Sequence, residues 1–162
     1  MPAVRRLAAI LAADVAGYSR LMGADEEGTQ KRLQAHLRES VNPKIGEYRG
    51  RIIKNTRYGF LAEFASVVDA VRCAVEVQRA MADRNKGTPP EHWIEFRIGI
   101  NLADPTGDGD DICGDGVNIA ARLVALADLG GICISQMVRD RIRDEFPYIF
   151  EHRGEHLSLI HI

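Results

Sequence analysis

Apolar and polar positions change period several times along the chain, and each change marks an element. Leu7-Ala8-Ala9-Ile10-Leu11-Ala12-Ala13 is a short apolar run bounded by Asp14 and Gly17, which predicts a buried strand over residues 5–13. From 25 to 49 the apolar residues Leu33, Leu37, Val41, Ile45 and Tyr48 recur at helical spacing. Asp25 caps this predicted helix, Pro43 bends it and Gly50 ends it. Strand candidates at 51–55 and 60–64 flank Thr56-Arg57-Tyr58-Gly59, a hairpin signal. Ser66-Val67-Val68-Asp69 reads as a capping box with Asp in place of Glu, opening a helix over 66–84. Gly87, Pro89 and Pro90 then break the chain. Ile94, Phe96, Ile98, Ile100 and Leu102 alternate with other residues, predicting a strand. After a polar loop, a helix over 116–128 ends at Gly130-Gly131. A strand at 132–135, a helix at 136–144 and a last strand at 148–150 follow.

This order is a βαββαβ plan with C-terminal additions. It predicts an α+β sandwich, helices on one face of a sheet and the other face free for a ligand or partner. The 162 residues suit one domain spanning 1–162. Hydrophobic residues at 46% and charged residues at 27% exclude a disordered chain. The net charge, 21 − 23 = −2, leaves no basic footprint for nucleic acid. No run is long enough to span a bilayer. Arg5-Arg6 before the apolar run has a slight look of a signal peptide, but the run then meets Asp14 with no fitting cleavage site. Cysteines 73, 113 and 133 lack metal or disulfide spacing and read as reduced thiols, so a cytoplasmic location is expected.

Few residues carry chemistry on their own. Asp14, at the end of an apolar strand, is either a turn-capping residue or a carboxylate paired with a charge or metal. Asp108, Asp110, Asp111 and Asp115 crowd a glycine-rich loop without the spacing of a calcium-binding hand. Asn118 and Arg122, four apart, share a helix face that is either simply solvated or able to present an amide and a fork-shaped cation to a phosphate. Val117, Ala120, Ala121, Val124 and Ala127 would pack that helix. Lys54, beside Ile52 and Ile53, reads as a solvent-facing strand lysine. No histidine pair has metal-ligand spacing, and no serine or cysteine sits in a nucleophile elbow.

Taken together and in order, these signals resemble the catalytic domain of class III adenylate/guanylate cyclases of the bacterial type. The resemblance covers residues 5–155. It is carried by LAAILAADVAGYSRL (7–21), RIIKNTRYGFLAEF (51–64), FRIGINL (96–102) and, most specifically, DICGDGVNIAARL (111–123). It implies a ferredoxin-like βαββαβ core in a nucleotide cyclase fold. It also implies ATP as substrate, with cyclic AMP and pyrophosphate as products, and Mg²⁺ or Mn²⁺ as cofactor. Asp14 matches the first metal aspartate, with the backbone carbonyl of Val15 beside it. Lys54 and Asp111 match the purine-reading pair and imply adenine. Asn118 matches the ribose-orienting residue and Arg122 the one that stabilises charge on the phosphates. The family pairs head to tail, as a homodimer or with another cyclase domain, each site drawing metal carboxylates from one chain and the other residues from its partner.

Two departures stand out. Tyr58 occupies the position of the second metal aspartate at the hairpin tip, and a phenol with pKa about 10 is a poor ligand for Mg²⁺. Arg57 adds positive charge beside it. The segment after Gly154-Glu155 also lacks the phosphate-contacting lysine of relatives. The expectation is an adenylate cyclase domain impaired at Tyr58, or else a cyclase-like domain that binds ATP or completes an intact partner's site.

Overall fold

The computed structural model describes residues 8–103, 115–142, 149–153 and 156–160. β1 (Ala8–Val15) runs two residues beyond the expected end of the first strand, so Asp14 and Val15 are strand residues, not turn residues. Pairing on both sides holds them there. β3 (Gly59–Phe64) and β4 (Phe96–Ala103) both lie antiparallel to β1, placing Asp14 opposite Gly59 on one side and Arg97 on the other. Ala9, Leu11, Ala13 and Val15 enter the main core on one face, while Ile10 and Ala12 meet Val117, Ala120 and Val124 on the other. Burial on both faces explains why the strand reads as continuous apolar sequence.

The helical stretch expected over 25–49 is interrupted, and one helix before it escaped the sequence pattern. α1 (Tyr18–Ala24) precedes α2 (Glu26–His36), a π-turn (Leu37–Val41) and α3 (Asn42–Glu47). Asp25 does cap α2, its Oδ1 accepting the Gly28 N–H at 2.9 Å. Pro43 has no N–H for the carbonyl of Glu39, and in a continuous α-helix its ring would clash with that carbonyl. The chain relieves this by widening, the Asn42 N–H donating to the Leu37 carbonyl five residues back. Gly50 does not end the helix by a left-handed turn: Arg49 takes that conformation, with φ 64°. Gly50 is small because a Cβ there would come within 2.4 Å of the Phe64 ring.

β2 (Arg51–Asn55) and β3 form the expected hairpin, with a register shift between Ile52 and Lys54. α4 (Val67–Lys86) begins as expected at Ser66, whose Oγ accepts the Asp69 N–H at 3.2 Å. It buries Val71, Ala74, Val75 and Met81 against the sheet, each large side chain contributing about 1.5–3 kcal/mol. The Gln78 amide donates to the carbonyls of Phe96 and Gly131, tying α4 to the start of β4.

The second face of the sheet is not free as expected, because α5 (Asp115–Leu126) lies across β1 and β4 there. A Cβ on Gly99 would come within 2.4 Å of the Ala120 carbonyl oxygen, so only glycine lets α5 sit this close. The Asn101 side chain donates to the Gly116 carbonyl at 3.1 Å and fixes the start of the helix. β5 (Ile132–Ser135) joins β4 in parallel, and α6 (Gln136–Ile142) returns Val138 and Ile142 to the main core. The single late strand expected at 148–150 is a hairpin of β6 (Ile149–Arg153) and β7 (His156–Ile160). Among the described residues the sheet thus has seven strands, in the order β2-β3-β1-β4-β5-β7-β6. Its first four strands and their helical crossovers are the βαββαβ plan, and the α+β class holds. Among the described residues, no helix is long and apolar enough to cross a membrane. Cys73 and Cys133 are buried, and burial pushes the Cys73 thiol up to about 12. Cys113 lies outside the described residues.

Candidate functional site

The end of β1 brings one carboxylate to the rim of the sheet. Asp14 is about two-thirds buried, and Arg97 on β4 grips it with both prongs of its guanidinium. Nε donates to Oδ1 and Nη2 to Oδ2, each at 3.2 Å. This two-point, charge-assisted geometry is among the stronger polar contacts available to a side chain. Arg97 was missed from the sequence. The signal was there: it falls on the polar phase of FRIGINL and becomes Asp14's cross-strand neighbour once β1 and β4 pair.

The hairpin between β2 and β3 closes against the same spot. The buried Val15 donates its N–H to the Tyr58 carbonyl at 2.7 Å. Gly59 lies flush with β1, since a Cβ there would fall 1.8 Å from the Ala13 carbonyl oxygen. The Tyr58 ring turns onto α1 and meets Tyr18 edge to face, with centroids 4.7 Å apart. The Tyr18 hydroxyl in turn accepts from the Gln30 amide. Tyr58 therefore serves as an aromatic clasp between hairpin and helix. Among the described residues no group of three or more His, Cys, Asp or Glu converges on one point. Among the described residues, one carboxylate already held by an arginine does not fit a pair of divalent ions.

The remaining candidates lie elsewhere on the surface. α5 docks through Val117, Ala120, Leu123 and Val124. Ala121, expected in that packing, is exposed instead. Asn118 and Arg122 stand one turn apart on the outer side, both exposed, and Arg122 has no ion pair among the described residues. Lys54 is exposed on the edge strand β2, with β3 between it and β1, a lateral offset of about 10 Å from β1. Asp111 lies outside the described residues, as do Asp108 and Asp110. Within one chain, then, Asp14 with Tyr58, the α5 pair and Lys54 form separate groups.

No family model matches the chain. A putative adenylate cyclase 3 of Rhizobium meliloti is 46% identical over 152 residues; that match takes in 94% of this chain but 26% of the relative, so the chain spans about a quarter of it. The crystal structure of an adenylate/guanylate cyclase/hydrolase from Silicibacter pomeroyi is 40% identical. It superposes with a TM-score of 0.82 over 95% of this chain and 94% of that one. The adenylyl cyclase CyaB from P. aeruginosa, 19% identical with a TM-score of 0.72 over 96% and 94% of the two chains, shares the fold.

Proposed function

The chain belongs to the class III adenylate/guanylate cyclase family, and from that premise we propose that it is an adenylate cyclase domain converting ATP to 3′,5′-cyclic AMP and pyrophosphate. The observation that carries this reading is the pair Asn118 and Arg122, held on α5 by close docking at Gly99 and exposed on its outer face. In the reaction, the ribose 3′-oxygen bonds to the α-phosphorus as the bridging bond to the β-phosphate breaks. The hydroxyl proton passes to solvent, and pyrophosphate leaves with the electron pair. Asn118 orients the ribose and Arg122 stabilises the charge that builds on the phosphates. Lys54 donates to a purine ring nitrogen and Asp111 accepts from the amino group, a pairing that selects adenine.

Among the described residues, those that would hold the family's Mg²⁺ or Mn²⁺ are Asp14 and the carbonyl of Val15. Tyr58 and the Arg97 fork both oppose a second ion there. Turnover by a head-to-tail homodimer is therefore slow, each site carrying the same defect. The test is cyclic AMP formation from ATP with Mn²⁺ by this chain and by its Tyr58→Asp variant. The variant is expected to exceed the parent by about tenfold or more, roughly 1.4 kcal/mol of barrier. A folded variant that forms no cyclic AMP overturns the enzymatic reading.

One observation favours a second reading. Tyr58 is engaged with Tyr18 and Asp14 with Arg97, so the metal side is closed twice. A domain of that kind binds ATP without turnover and lends its Asn118 and Arg122 to an intact cyclase partner. Mixing the chain with a cyclase domain that keeps both metal aspartates but lacks its own arginine distinguishes the two. Activity restored only in the mixture supports the partner role.

A further inference from the structure

The widened turn in the α2 segment does more than accommodate Pro43. Gln30, Gln34 and Arg38 follow one another at four-residue steps, which drift about 40° around an α-helix at each step. The π-turn, holding more residues per turn, reverses that drift. Val41 goes into the core, and Asn42 stays on the stripe with the other three. This stripe faces Asn55, Thr56 and Arg57 of the hairpin across a cleft of about 480 Å³ floored by Leu33 and Leu37.

The lining is chemically one-sided. It offers two guanidinium groups, four side-chain amides and a hydroxyl, and no carboxylate, although the chain has 23 acidic residues against 21 basic ones. Arg38 shares one exposed contact with Glu39 at 3.3 Å, outside the cleft lining. Arg57 has no ion-pair partner among the described residues, and it also borders the neighbouring cleft beside Tyr58. Two like charges flanking one concavity are stabilised by an anion between them. The surrounding amides have donors and acceptors for the hydroxyl or carbonyl groups of that anion's body.

We propose that this cleft binds a small phosphorylated metabolite, its phosphate between Arg38 and Arg57 and its polar body along Gln30, Gln34 and Asn42. The site is distinct from Asp14, which shares its sheet face with α5, and from Asn118 and Arg122. It stands whether or not the chain makes cyclic AMP. Its occupation would be felt at the catalytic rim, because the hairpin that supplies Arg57 is bonded through the Tyr58 carbonyl to Val15.

The experiment is a titration of the ¹⁵N-labelled chain, without nucleotide, using inorganic phosphate and ribose 5-phosphate as probes. Saturable shifts are expected at residues 30–42 and 55–57, with ribose 5-phosphate binding about tenfold tighter than inorganic phosphate. Arg57→Gln is expected to weaken ribose 5-phosphate by about tenfold or more, and Arg38→Gln by several-fold. Both side chains are exposed, so melting temperatures should stay within about 2 °C of the parent. Arg122→Gln should leave these shifts unchanged. The proposal is overturned if no saturable shift appears up to about 20 mM. It is equally overturned if Arg57→Gln binds like the parent, or if Arg122→Gln abolishes binding, which would place the phosphate on α5. Equal affinity for the two probes refutes the role of the amides.

Discussion

Arg97→Ala is the substitution that most directly probes the carboxylate at the rim. It removes both 3.2 Å bonds and leaves Asp14, about two-thirds buried, without its counter-ion. Two unit charges about 4 Å apart at an effective dielectric near 20 attract by about 4 kcal/mol. With each side chain about a third exposed, solvent screening and the entropy of holding a long arginine take back more than half. The pair's net coupling should therefore be about 1–2 kcal/mol. A double-mutant cycle of Arg97→Ala, Asp14→Asn and the double variant, by urea denaturation at pH 7, measures that coupling with backbone and packing effects cancelled. Arg97→Ala alone should lower the melting temperature by about 3–6 °C. Combining it with Asp14→Asn should recover part of the loss, since the stranded charge is gone. In 1 M salt the coupling should fall but not vanish, because the pair is only partly open to solvent. A coupling below about 0.3 kcal/mol would refute the claim that Arg97 holds Asp14, and with it the proposal that the Arg97 fork opposes an ion there.

Gly99→Ala would push the Ala120 carbonyl away and tilt α5, costing about 2–3 kcal/mol by denaturant unfolding and taking Asn118 and Arg122 out of position. Arg122→Ala should leave stability unchanged yet lower kcat for cyclic AMP formation by about 10²-fold or more, read in the mixture with an intact partner domain. His36 makes the fold sensitive to acid. It accepts the Arg84 Nε–H at 2.8 Å and so must be neutral, and burial first, then Arg84, lowers it from 6.5 to about 4, with Arg32 acting the same way and Glu39 against. The unfolded state binds the extra proton between those two values, so stability falls as pH drops from 6.5 toward 4. The loss is on the order of 2 kcal/mol after allowing for solvent at the ring edge, and His36→Gln should flatten that slope in a pH series of urea melts.

What the sequence made legible depended on whether one residue type implied one partner. Asp25 and Ser66 announce helix starts because a short side chain must satisfy the free N–H groups of a first turn, and both do so. The strand 132–135 is bounded by glycines and a helix start, and it was placed to the residue. By contrast, the end of the first strand was misjudged because Asp14 looks like a turn residue until β3 and β4 are known to hold it from both sides. α1 escaped because its seven residues bury only Tyr18 and Leu21, too few for a period to show. The covering of the second sheet face turns on Gly99, whose small size matters only once α5 is laid over it. The site divides in the same way. Residue types mark Asn118 and Arg122 as a pair on one helix face, and local spacing suffices to place them. The Asp14–Arg97 contact joins positions 83 residues apart, and no local pattern contains it. Tyr58 shows the difference most clearly. By the family resemblance it is the loss of a carboxylate. In the fold it is also a gain, since its ring clasps α1 through Tyr18, so Tyr58→Asp would release a helix contact as well as place a carboxylate at the hairpin tip.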